Sequence, residues 1–71
     1  MDEALERKHL AQVEQHIAQA KQYILRQQQL INKLERGGHD TRSAVSMLEA
    51  LERCLEAFKQ HRKMIVKRLK D

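Results

Sequence analysis

The chain has no proline and no tryptophan, a single cysteine, only two glycines and only two aromatic side chains in 71 residues. Each shortage excludes something. Without proline, nothing in the covalent chain forces a helix to kink or stop. One cysteine, Cys54, forbids an intrachain disulfide. It has no CxxC or Cys/His spacing around it, so it does not read as a zinc ligand, and a lone thiol fits a reducing compartment. No apolar run approaches the roughly 20 residues of a membrane span. The opening run "MDEALERKHL" is charged where a secretory leader needs an apolar stretch. A cytoplasmic protein is expected.

Catalytic equipment is missing too. "LERGGHDTRS" holds both glycines and sets His39 beside Asp40. It has no strand pattern before it, no lysine at phosphate-loop spacing and no nucleophile beside the His-Asp pair. No triad or paired-carboxylate cleft is visible elsewhere. The expectation is a protein that is not an enzyme and has no catalytic residues and no cofactor.

What the chain does have is helix-forming residues in helical order. Ala, Leu, Glu, Gln, Lys and Arg dominate. Leu10, Val13, Ile17, Ala20, Ile24, Gln27, Ile31 and Leu34 follow alternating spacings of three and four, the seam of a bundle helix. His9, His16, Tyr23 and Leu30 recur at sevens beside it. A second seam runs through Ala44, Leu48, Leu51, Leu55, Phe58, Arg62, Ile65 and Leu69, flanked by Met47, Cys54, His61 and Arg68. The spacing predicts one helical-hairpin domain over residues 1–71, with helices at about 2–36 and about 41–70 and a turn at 37–40.

The turn explains its own residues. Gly37 or Gly38 can take the left-handed conformation that closes a helix. Asp40 is a strong N-cap for the second helix, with Thr41 as the alternative. So short a link forces antiparallel neighbours. Folding about Gly38 and His39 brings Glu14 level with Arg62, His16 level with His61, and Tyr23 near Cys54. Arg62 stands where the seam calls for an apolar residue, and Glu14 is its expected partner, since an unpaired buried guanidinium is costly. Gln27 is the polar break of the first seam, of the kind that sets register.

Each helix is expected to be about 45–50 Å long at 1.5 Å per residue. Two such helices leave much of their wide apolar faces uncovered. The fold class is therefore all-α, an antiparallel two-helix hairpin expected to dimerise into a four-helix bundle. Tyr23, Leu30, Met47 and Leu51 are the expected dimer contacts.

Two clusters could carry more. The run "KQHRKMIVKRLK" holds six Lys or Arg and no acid, within a net charge of +4. Lys59, Lys63, Lys67 and Lys70 line one outer face, with His61 and Arg62 among them, and this is the candidate partner surface. An unknown protein partner is the leading expectation and nucleic acid the alternative. The run lacks stacking aromatics and a short recognition helix, and its charge is partly met by Asp2, Glu3 and Glu6. The second cluster is histidine: His16 and His61 with their dimer mates are a metal candidate. Cations on the facing part of the second helix disfavour it, and no metal site is assigned.

The run from His16 to Leu69 also resembles a family of short, uncharacterised bacterial helical-hairpin proteins. The matches are His16-Ile17, the turn Gly38-His39-Asp40-Thr41, and His61-Arg62. The resemblance implies a small bacterial protein and transfers no activity. It points to His16, His39, His61 and Arg62 as residues to follow.

Overall fold

The computed structural model describes residues 2–70. Two helices make up the fold: α1, Glu3–Arg36, and α2, Arg42–Lys70. They lie antiparallel as a rod with extents of 54 × 14 × 13 Å. Among the described residues no helix is long and apolar enough to cross a membrane.

Both helices begin one residue later than their spacing predicts, and for the same reason. At each start a side-chain carboxylate stands outside the helix and accepts from its first amides. Asp2 is the N-cap of α1, its Oδ1 accepting from Leu5 N at 3.3 Å, while Glu6 N donates to the Asp2 carbonyl at 3.1 Å. Before α2, Asp40 Oδ1 accepts from Arg42 N at 3.0 Å, two residues on. The first helical carbonyl there belongs to Thr41, which accepts from Val45 N at 2.9 Å. Thr41 is thus the N-cap residue, and Asp40 supports the start from one position outside it.

The close of α1 is a Schellman turn. His39 N donates to the Leu34 carbonyl at 2.9 Å and Gly38 N to the Glu35 carbonyl at 3.1 Å. Gly38 is the residue with positive φ, +72°. Gly37 remains right-handed at φ −83°. Its missing side chain leaves room for the His39 ring, whose Cδ2 would lie 2.7 Å from a Cβ there.

The core lies along the two seams and is thin. Among the described residues the buried apolar side chains are Val13, Ala20, Ile31, Ala44 and Ile65, and Ile65 is the one large side chain fully removed from solvent. Leu10, Ile17, Ile24, Leu34, Leu48, Leu51, Leu55, Phe58 and Leu69 are half-buried. Gln27 sits in the seam and donates from Nε2 to the Ala44 carbonyl at 2.9 Å. This bond pins the register near the turn, since a helix slid by one residue would leave a part-buried amide unpaired.

Two ion pairs pin the register farther out. Arg62 Nε lies 3.6 Å from Glu14 Oε1, with both side chains about half exposed. Arg68 Nε donates to Glu6 Oε2 at 3.3 Å, and the Glu6 side chain is only 14% exposed. Half-exposed pairs such as Glu14–Arg62 contribute about 0–1 kcal/mol. Their value here lies in choosing which residues face each other.

Folded monomers of this mass expose about 4,600 Å² by the usual scaling with mass. This chain, at 8.4 kDa, exposes 5727 Å². The excess is about 1,100 Å², and it is the area of a rod whose helices each have one neighbour where a bundle helix has two.

Candidate interaction surfaces

The two helices meet along two long edges, and these differ in chemistry. One carries the histidines. His9 and His16 on α1 and His61 and Arg68 on α2 line a groove of about 630 Å³ floored by Val13 and Phe58. The His16 ring packs against Phe58, with centroids 5.2 Å apart and planes tilted by 39°. His16 therefore meets Phe58 as well as sharing the groove with His61. The Glu6–Arg68 pair closes the groove at the open end of the hairpin.

Steps of seven continue this edge toward the turn through Tyr23 and Leu30 on α1 and Met47 and Cys54 on α2. These side chains stand in solvent: Tyr23 is 51% exposed, Leu30 43% and Met47 54%. Cys54 is free and exposed. Met64, 58% exposed, lies between His61 and Arg68 at helical spacings of three and four. The Arg26 guanidinium lies 6.0 Å from the centre of the Tyr23 ring, at the limit of a cation–π contact. Of the four expected dimer contacts, Tyr23, Leu30 and Met47 are exposed, whereas Leu51 is half-buried in the seam.

The other edge is basic. Lys59, Arg62 and Lys63 of α2 and Lys21 of α1 surround a groove of about 500 Å³ over half-buried Val66. Glu14 takes up Arg62, and Glu56 lies 3.9 Å from Lys59. Among the described residues, Lys21 and Lys63 pair with no carboxylate. The basic run is split between the two edges at His61 and Arg62, while Lys59, Lys63, Lys67 and Lys70 share the outer face of α2 by their helical spacing. His61 falls on the histidine edge and Arg62 on the basic edge, because successive helical residues are turned by about 100°. Lys67 and Lys70 line neither groove. Lys21, which lies outside the run, belongs to the basic edge, and only the fold-back brings it there.

The turn has its own electrostatics. Arg42 grips Asp40 through Nε and Nη2, the shortest contact being 2.6 Å. The Arg42 side chain, and after it the Arg42 amide, hold the Asp40 carboxyl below its usual range, and Asp40 in turn raises the Arg42 guanidinium. The Arg42 and Asp40 side chains are 91% and 59% exposed, so this pair shapes the turn and contributes little energy. Among the described residues, no three His, Cys, Asp or Glu side chains converge on a point where they could hold a metal ion. Compared with protein-family models, with curated proteins and with solved structures, the chain finds no match.

Proposed function

We propose that this chain is a non-enzymatic helical interaction module of the bacterial cytoplasm, which assembles as a homodimeric four-helix bundle and acts by binding another protein. The observation that carries the reading is the histidine edge. It exposes Tyr23, Leu30, Met47 and Met64 along one side of a chain whose own core buries only five apolar side chains among the described residues. Apolar side chains gathered on one edge mark an interaction site, whereas scattered ones do not. Once that edge is covered, the basic edge is left facing outward for a partner.

Affinity capture from cell extract tests this reading. The chain is compared with a Lys59→Glu, Lys63→Glu variant and with the purified chain assayed for turnover. A protein retained by the wild type and lost by the charge reversal supports it. Turnover of a substrate, with no protein specifically retained, overturns it.

A second reading is favoured by the convergence of Lys21 with Lys59, Arg62 and Lys63. Four cations around one groove suit a polyanion such as nucleic acid, through phosphate contacts alone. That reading requires affinity that falls steeply with salt and with the same charge reversal. No binding to an oligonucleotide at low salt removes it.

A further inference from the structure

We infer that two copies pair through the histidine edge with their turns at opposite ends, so that Tyr23 and Leu30 of each copy enter the groove that His9, His16 and His61 line in the other. This rests on the dimeric reading above and goes further by assigning the arrangement.

α1 spans Glu3–Arg36, so its midpoint falls between Gln19 and Ala20. The side chains on the histidine edge are placed evenly about that midpoint. His16 and Tyr23 lie three residues beyond Gln19 and Ala20 respectively, and His9 and Leu30 lie ten beyond. A twofold axis crossing the helices at this level sets Tyr23 of one copy against His16 of the other, and Leu30 against His9. On α2 the same axis sets Met47 of one copy near Met64 of the other.

The groove floored by Val13 and Phe58 lies in the open half of the rod. Tyr23 and Leu30 on α1 protrude in the turn half, while on α2 Met47 protrudes there and Met64 in the open half. One rotation therefore seats protrusions in grooves twice, as an isologous interface requires. The opposite arrangement, with both turns at one end, stacks α1 of each copy on α2 of the other. It lays groove against groove, brings His16 to His61 and His9 to Arg68, and crowds both basic ends together. That is the arrangement electrostatics opposes.

A face 54 Å long and 14 Å wide projects about 750 Å², against roughly 800 Å² per partner in a stable interface. The exposed excess of about 1,100 Å² is of the same size. Between the Glu6–Arg68 pair and the turn, this edge of α2 carries no charge from Met47 through Met64, reading Met47, Ala50, Cys54, Ala57, His61, Met64. An uncharged stripe of that length matches a second copy of itself better than a charged partner.

The test is a distance between turns. His39→Cys in a Cys54→Ser background places one nitroxide label at each exposed turn, and His39 contributes its backbone N–H to the turn, which cysteine keeps. Dipolar spectroscopy on the full chain is expected to show labels separated by nearly the 54 Å length of the rod. A separation of about 10–20 Å, one or two interhelical spacings, overturns the arrangement while leaving a dimer in place. No interchain coupling together with a monomeric mass overturns the dimeric reading itself. Tyr23→Ala is expected to raise the dimer dissociation constant tenfold or more, as buried tyrosines at interface centres do. An unchanged constant places the contact elsewhere.

Discussion

Replacing Ile65 by alanine should cost this protein more stability than any other single aliphatic truncation. Ile65 is fully buried, while its neighbour Met64 is 58% exposed. The substitution removes three carbons, each contributing about 0.8 kcal/mol on burial, or about 2.4 kcal/mol in all. A cavity term adds to this, though two helices with no third layer behind them close partly over the gap. The expected loss is about 2.5–3.5 kcal/mol, in the lower half of the range for Ile→Ala in cores. For a domain of this size each kcal/mol shifts Tm by about 4–8 °C, so Tm should fall by about 10–28 °C. Urea and thermal unfolding followed by circular dichroism, at one fixed chain concentration, measure it. Met64→Ala in the same assay should cost under about 0.5 kcal/mol at concentrations too low for self-association. If Ile65→Ala cost no more than Met64→Ala, the seam would not be the core, and the packing described here would be wrong.

The adjacent glycines should respond differently to the same change. Gly38→Ala forces an L side chain to φ +72° and should cost about 1–2 kcal/mol. Gly37→Ala should be nearly neutral, within about 0.5 kcal/mol, because its φ is allowed and the exposed His39 ring can swing aside; equal costs would refute the turn geometry. Because Arg42 lowers the Asp40 pKa, the stabilisation from Asp40 is present above the unfolded value of about 3.9 and is lost as pH falls through the lower folded value. Because the pair contributes little energy, the direct check is NMR titration of the Asp40 carboxyl, expected to move up toward about 3.9 in Arg42→Ala; a titration unmoved by Arg42→Ala would show that the pair does not form in solution. Zinc and nickel should leave Tm unchanged, and a metal-dependent rise abolished by His16→Ala, His61→Ala would restore the metal site that the histidines first suggested.

Much of this fold could be read from spacing. The buried residues Val13, Ala20, Ile31, Ala44 and Ile65 all belong to the two seams picked out by their three- and four-residue steps. The Glu14–Arg62 pair was legible because a guanidinium at a seam position needs a carboxylate and the short turn allows few candidates. The polar break at Gln27 was visible too, though its partner, the Ala44 carbonyl, was not. A side chain reaching across to a backbone oxygen leaves no trace in residue type.

The edges were harder. Periodicity assigns residues to one helix's faces, but a groove belongs to two helices and depends on how each is rotated toward the other. His61 and Arg62 adjoin in the basic run, yet the fold sends His61 to one groove and Arg62 to the other. Lys21 joined the basic edge for the same reason, and Met64 joined the apolar one. Which glycine turned left-handed was open as well, since both fit the motif; the fold resolves it at Gly38.

The central claim is that a second copy covers the histidine edge. The most direct measurement is solution mass by light scattering across a concentration series. The account predicts a mass rising to twice 8.4 kDa and holding there, with the transition moved to higher concentration by Tyr23→Ala. A mass of 8.4 kDa at every concentration would contradict it, leaving Tyr23, Leu30 and Met47 facing water in the protein's resting state.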